Sequence, residues 1–269
     1  LFNLACHETE PDIGNNSIAT WSGLFLPIFS WSTIPFLSRF EFLLRRLRHA
    51  AEKEEEFVLR AAIGTLDIPS GRNSPPRTVG GRLVPEEVRP KTYEELYTLQ
   101  NQAGEQLLQV IKEEVDPLRK GRMARGIIPS LSLFVRHGCL TALRALFLDF
   151  PRESDIVRIL RGELDQYRRQ LSFLKAHGKL NVNDDVLKKL ISWYQELEPA
   201  SLEGRIKEIT QGFVWGHYYS SDSETGMREE YGALARDTLS QVDVLDDLDE
   251  WFHDADQSSL SFFGYYLGL

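Results

Sequence analysis

Apolar residues recur every three or four positions along most of this chain, and that spacing restricts the fold more than any other feature of the sequence. Between residues 140 and 150, for example, Leu143, Leu146, Phe147 and Phe150 would share one side of a helix. No window shows the alternation of apolar and polar residues, enriched in β-branched types, that is typical of strands. The sequence therefore predicts an all-α protein.

The stretch 113–150 predicts two consecutive helices around which the rest of the chain is organised. The apolar stripe of the first helix consists of Val115, Leu118, Met123, Ile127 and Leu131. This helix is either continuous or broken near Pro129. Gly138 offers a left-handed cap between the two helices, and Pro151 ends the second one.

An uncharged stretch at 14–38 is long enough to cross a membrane. It contains Pro27, Pro35 and several polar residues, however, and no basic cluster precedes it as in a signal peptide. We therefore expect a buried pair of short helices here and no membrane contact.

Capping and charge patterns predict further helices. Phe36 to His49 forms one, with Arg39 mostly on its outer side, and Glu52 to Glu56 is a charged turn or the start of the next. Thr92 begins a capping box in which Glu95 reaches back to the cap amide. After residue 151, the N-cap candidates are Ser154 or Asp155, the run Asn183-Asp184-Asp185, and Ser201.

Proline and glycine divide the chain. Residues 68–92 hold five prolines and three glycines and show no helical spacing, which predicts a long irregular insertion. We expect N-terminal helical repeats at 1–67, this insertion loop at 68–92, a central helical repeat at 93–150 and acidic helical repeats at 151–269.

Charge is distributed unevenly. Up to Phe150 the chain has 18 basic and 18 acidic residues, whereas the remainder has 13 and 22, which argues against nucleic-acid binding by the second half. The two cysteines are too few for a disulfide framework or a Cys-based zinc site. They indicate a reducing compartment, and we expect a cytoplasmic protein.

Three places share one pattern, in which an acidic turn precedes a helix that opens with apolar and small residues. They begin at Glu10, Glu54 and Val115. The second copy contains Arg60 and Ala61, and the third contains Asp116, Arg119 and Ala124, whereas the first lacks the arginine. The pattern resembles the HEAT repeat, whose second helix typically follows an Asp-x-x-Val-Arg-x-x-Ala type of turn. This resemblance implies a HEAT-like α-solenoid of antiparallel helix pairs with one long irregular insertion.

Shorter motifs suggest a wider context. Residues 15–21, 77–80 and 89–93 are similar to helical-repeat regions of large bacterial signal-transducing NTPases of the NLR-like STAND type. In those proteins the repeats sense a trigger or hold the ATPase inactive, which implies a sensor or scaffold segment. The chain opens without Met on apolar residues and closes on them, so we expect a piece of a longer polypeptide.

No catalytic or ligand-binding constellation stands out. Gly178-Lys179 lacks the context of a P-loop, and no two of the six histidines are spaced four apart as metal ligands on a helix would be. Cys139 begins an apolar helix, which favours a buried packing thiol over a nucleophile beside His137. The carboxylates between Asp243 and Glu250 form a solvated acidic face or a dock for a basic partner. We expect no cofactor, no metal ion and no catalysis.

Two groups of basic residues are the candidate contact sites. The first lies on a helix face at 119–136 and consists of Arg119, Lys120, Arg122, Arg125 and Arg136. The second, Arg77 and Arg82 in the insertion, accompanies backbone amides that could cradle an anion. Plainer interpretations are a solvated helix face and a mobile connector.

We expect a non-catalytic protein-interaction, scaffold or sensor segment. Its partner would be another protein or a neighbouring domain of the same polypeptide. The alternative is nucleic-acid sensing through the first basic group.

Overall fold

A computed structural model describes residues 2–8, 17–28, 30, 32–67, 78–79, 82–83, 86–178, 183–202, 204–206, 232–238 and 240. The chain forms two compact units, residues 1–149 (unit 1) and 150–269 (unit 2), and each is described by itself. Helices dominate the described residues, as the sequence predicts for an all-α protein.

The described part of unit 1 is built from helices and one two-residue antiparallel strand pair. The helices are α1 (Phe2–Cys6), α2 (Ser17–Gly23), α3 (Phe36–Arg48), α4 (Glu52–Gly64), α5 (Tyr93–Glu113), α6 (Pro117–Ile127), α7 (Leu131–Arg136) and α8 (Leu140–Phe147). Strands β1 (Thr78–Val79) and β2 (Arg82–Leu83) pair with each other inside the insertion. The remaining residues of 68–85 lie outside the described residues.

Helix α5 is the longest helix described in unit 1 and contacts three others. It packs against α3, α6 and α8, while α4 packs against both α3 and α6. The fully buried side chains of these helices include Phe40, Leu43, Leu107, Ile111 and Met123. Each such side chain stabilises the fold by about 1.5–3 kcal/mol relative to an exposed one, so α5 lies in the core of the unit.

Of the two alternatives for this stretch, the helix is broken near Pro129. Helix α6 ends at Ile127, one 3₁₀ turn spans Ile128–Ser130, and α7 follows directly. Proline lacks the amide proton that a continuous α-helix would need at this position. Met123 and Ile127 are buried as predicted.

Val115 and Leu118 were predicted to lie on the same apolar stripe, and this is wrong. They are 91% and 76% exposed. The Asp116 carboxylate accepts a hydrogen bond from the Leu118 amide (3.0 Å) and starts α6 at Pro117, so Val115 lies in the preceding turn. Leu118 precedes Met123 by five residues, which places it about 140° around the helix from that side chain at 100° per residue.

Arg39 was predicted to point mostly outward, which is also wrong, because it is only 6% exposed. Its Nε donates to the Ile34 carbonyl (2.9 Å), and one terminal nitrogen donates to the carbonyls of Leu26 (3.0 Å) and Leu24. Burial lowers the pKa of this guanidinium. Arg39 therefore satisfies backbone carbonyls of the segment that precedes α3.

The uncharged stretch at 14–38 contains the short helix α2 and, after a connection whose described residues up to Pro35 are not helical, the first residues of α3. Trp21, Phe25 and Leu26 are buried. Among the described residues, no helix is long and apolar enough to cross a membrane.

The capping box at the start of α5 forms with one change. The Thr92 hydroxyl accepts from the Glu95 amide (3.1 Å), as predicted. The Glu95 carboxylate reaches one residue further than predicted and accepts from the Lys91 amide (2.6 Å) instead of the cap amide. Both contacts pair amides that would otherwise lack a partner at the helix start.

The end of the insertion is attached to the segment before α3. The Glu87 carboxylate accepts from the amide (2.6 Å) and the hydroxyl (2.7 Å) of Ser30. The Val88 amide donates to the Ser32 carbonyl (3.0 Å). Residues 86–90 therefore have a fixed position in unit 1.

Unit 2 contains two well-defined helices, α9 (Asp155–Ala176) and α10 (Asp184–Glu196), which pack against each other. The predicted caps Ser154 and Asn183 accept from the amides of Val157 (3.4 Å) and Asp185 (2.9 Å). Residues 232–238 are also helical. The acidic residues between Asp243 and Glu250 lie outside the described residues.

Candidate interaction surface

Glu55 lies at the centre of the predicted basic face. It is in the first turn of α4, its side chain is 5% exposed, and it contacts two arginines of α6. Arg119 Nε is 2.7 Å from one carboxylate oxygen, and Arg122 Nε is 3.2 Å from the other. We call these three residues the Glu55 cluster. A buried carboxylate needs such partners, because its desolvation is otherwise costly.

Arg119 joins four helices. Besides Glu55 of α4, its guanidinium contacts the Glu114 carboxylate (2.9 Å) at the end of α5. It also donates to the carbonyls of Arg48 (3.0 Å) and Leu47 in the last turn of α3. Those carbonyls lack partners within α3, and a cation is favourable at a helix C-terminus. Arg119 is therefore engaged within the fold and not available to a phosphate.

Lys120 and Arg122 are also engaged. The Lys120 ammonium lies 2.7 Å from the Asp149 carboxylate and donates to the Lys112 carbonyl (2.8 Å). Arg122 contacts Glu52 (3.6 Å) in addition to Glu55, and hydrogen bonding to Glu55 raises its pKa. Three of the five predicted contact residues thus hold helices of unit 1 together.

Arg125 and Arg136 are exposed and have no ion-pair partner among the described residues, whereas Arg122, which is also exposed, is paired with Glu55. They lie on different helices, Arg125 on α6 and Arg136 at the end of α7. The structure does not bring the five basic side chains together as one free surface.

The second predicted group consists of Arg77 and Arg82 in the insertion. Arg77 lies outside the described residues. The backbone of Arg82 belongs to β2, where it pairs with Val79. The proposed anion cradle in the insertion stays a prediction.

Glu55 is the site residue that the sequence reasoning missed. It shares a stripe with Val58, Leu59 and Ala62, which are all buried. Spacings of three, four and seven residues place these side chains on one side of α4. A carboxylate on a buried apolar stripe indicates a buried ion pair, because an unpaired buried charge is costly. The sequence does not show which basic residue is its partner.

The outside of the α5–α6 turn carries exposed apolar side chains. Val115 and Leu118 flank the start of α6 and are 91% and 76% exposed. We call these two residues the turn patch. Neighbouring exposed aliphatic side chains surrounded by polar residues are typical of protein-binding surfaces.

Comparisons of the chain with protein-family models, with curated proteins and with solved structures found no match. Within the described part of the chain, no group of three His, Cys, Asp or Glu residues is arranged to hold a metal ion.

Proposed function

We propose that this chain is a non-catalytic protein-interaction or sensor segment built as a HEAT-like α-solenoid. The packing pairs in unit 1 support the solenoid, since α3 and α4 pack together and each contacts one helix of the pair α5 and α6. In a solenoid, each helical repeat contacts its neighbours in this way.

The third copy of the repeat pattern adds support. Asp116 caps α6, and Arg119 links that helix to the preceding helix pair through Glu55 and the end of α3. Arg60, the arginine of the second copy, instead makes an exposed pair with Glu56 (2.6 Å) on its own helix. The arginine of the third copy thus connects two successive repeats, which fits stacking of the first pair on the second.

The turn patch is the observation that carries the proposed interaction role. Burying an aliphatic side chain at an interface removes apolar surface from water at about 25 cal/mol per Å². Its partner would be a protein or a neighbouring domain of a longer polypeptide, and a STAND-type sensor arm is one such arrangement. Recognition of this kind requires no cofactor.

Site-specific photo-crosslinking in the native cell tests this proposal. A benzophenone amino acid at Leu118 should give a discrete protein adduct, and Val115→Glu in the same chain should weaken that adduct at least about tenfold, since a buried carboxylate costs more than 1.4 kcal/mol. The same amino acid at Thr98, an exposed position on α5, is the matched control. Equal adducts from Leu118 and Thr98 would refute a specific surface at the turn patch.

The nucleic-acid alternative makes a different quantitative prediction. With only Arg125 and Arg136 of the predicted group unpaired, the slope of log K against log salt should be no steeper than about −2, at about 0.9 per phosphate contact. Anisotropy titrations with single- and double-stranded oligonucleotides measure it. A steeper slope that Arg125→Glu and Arg136→Glu abolish would favour nucleic-acid sensing. Arg122 is unsuitable for this test because it contacts Glu55.

A further inference from the structure

His137 is a buried histidine in the turn between α7 and α8, and it is only 5% exposed. Its Nε2 lies 2.7 Å from the carbonyl oxygen of Leu66, just after α4. Because a carbonyl oxygen only accepts, Nε2 carries the proton, and the neutral ring has its lone pair on Nδ1. Nδ1 is itself buried and has no hydrogen-bond partner among the described residues.

The backbone around His137 fixes this position. Gly138 has a φ of +79°, the Gly138 amide donates to the Val135 carbonyl (3.0 Å), and the Cys139 amide donates to the Phe134 carbonyl (2.9 Å). This pattern is a Schellman motif, and it confirms the predicted left-handed cap. The Asn101 side chain also donates to the His137 carbonyl (2.6 Å). The imidazole therefore has little freedom to turn away from Leu66.

A second side chain holds the neighbouring carbonyl. Gln100 of α5 donates from Nε2 to the Thr65 carbonyl (3.2 Å). Gln100 and His137 thus pair two successive carbonyls at the end of α4, which have no partners within the helix. We call this pair of contacts the carbonyl clamp. It connects the end of α4 to α5 and to the α7–α8 turn.

The groups around His137 have opposite effects on the protonation of its imidazole. Arg136, its neighbour in sequence, disfavours a charged imidazole, whereas Asp67 after α4 and the Leu66 carbonyl favour it. From α5, the Tyr97 ring packs with its centroid 5.6 Å from the imidazole. Cys139 follows on the same turn, and its thiol is held neutral because burial raises its pKa to about 12. Burial is the largest influence on His137 and lowers its pKa.

We propose that the carbonyl clamp is an acid-sensitive joint, which loosens when mildly acidic solution protonates His137. A proton on Nδ1 would create a buried cation with a donor that lacks an acceptor. The opened form, in which the ring reaches water, takes up the proton more readily than the closed form. Stability is therefore complete above the ordinary histidine pKa of 6.5 and falls as the pH drops below it. This inference does not depend on the proposed function.

Amide hydrogen exchange in the full chain tests the joint. The probes are the amides of Leu66, Asp67, Gly138 and Cys139, whose hydrogen bonds close the two sides of the clamp. When the pH is lowered from about 7.5 to about 5.5, the equilibrium constant for local opening at these amides should rise by up to about tenfold. Tenfold is the limit for a histidine with the ordinary pKa of about 6.5 that binds a proton only in the open form. Exchange at these amides reports unit 1 alone.

Two variants separate His137 from other titrating groups. His137→Gln keeps a donor near Nε2 but cannot be protonated, so its opening constant should change less than about twofold over the same range. His49→Gln removes an exposed histidine of unit 1 and should behave as the wild type does. An equal rise in wild type and His137→Gln would overturn the proposal.

If His137→Gln fails to fold, an NMR measurement on the wild-type protein still tests the proposal. Long-range ¹H–¹⁵N spectra should show the Nε2–H tautomer of His137 at neutral pH. Its imidazole should titrate below the ordinary histidine pKa of 6.5. A titration midpoint at or above that value, or a proton on Nδ1, would refute the joint.

Discussion

Glu55→Gln tests the most connected ion pair of unit 1. The substitution keeps the shape of the side chain and removes its charge, leaving Arg119 and Arg122 without the buried carboxylate between them. Removing one partner of a buried ion pair costs about 3–5 kcal/mol. Arg119 retains Glu114 and two α3 carbonyls, so we place the loss for Glu55→Gln at about 2–3 kcal/mol, at or below the lower end of that range.

Glu56→Gln is the matched control. Glu56 is the next residue on α4, but its carboxylate is 79% exposed and pairs with the equally exposed Arg60. Exposed pairs contribute about 0–1 kcal/mol, so Glu56→Gln should cost no more than about 0.5 kcal/mol. The two variants make the same chemical change one residue apart, and only burial and partners differ.

Urea unfolding followed by far-UV circular dichroism measures both variants. Because the two units can unfold separately, amide exchange in α4 and α6 should assign the transition that belongs to unit 1. Equal free energies of unfolding for Glu55→Gln and Glu56→Gln would refute the assignment of Glu55 as a buried ion-pair link between α4 and α6.

Two further predictions concern the turn at Gly138 and the buried thiol. Gly138→Ala should destabilise unit 1 by about 1–2 kcal/mol, because a β-carbon at φ +79° is strained and would lie 3.2 Å from the Tyr97 hydroxyl. Gly64→Ala, in open space within α4, should instead stabilise it by about 0.5–1 kcal/mol. Thermal unfolding in which both substitutions shift the melting temperature in the same direction would contradict this. At about pH 8, iodoacetamide should label Cys6 but not Cys139, which is fully buried and has a thiol pKa raised to about 12. Cys139 should react only after urea unfolds the protein. Labelling of native Cys139 at the rate of Cys6 would show that this site opens.

Local patterns predicted the features that depend on nearby residues. Gly138 adopts the left-handed conformation and Thr92 caps α5, since each outcome follows from the conformational limits of one residue and its immediate neighbours. At Pro129 the sequence left a continuous and a broken helix open, and the helix is broken. Val115 and Leu118 were misplaced because the side of a helix that a residue occupies depends on where the helix begins, and Asp116 sets that point.

The candidate contacts were harder to predict for a different reason. Arg119 and Glu55 are 64 residues apart in sequence, and Arg39 and Glu55 are polar residues on otherwise apolar stripes. Periodicity alone assigns an arginine to solvent, because it contains no information on which carboxylate or carbonyl arrives from another helix. The same limit made the basic face at 119–136 look available when most of it is occupied.

The insertion between α4 and α5 is attached on both sides, by the carbonyl clamp at Thr65 and Leu66 and by the contacts of Glu87 and Val88 with the segment before α3. Once the two ends of a loop are fixed by the surrounding fold, doubling its length adds only about 0.6 kcal/mol of closure entropy. Lineages carrying this architecture could therefore lengthen, shorten or exchange the sequence between those anchors while the helices on either side keep their packing. Sequence changes between the anchors would therefore cost unit 1 little stability.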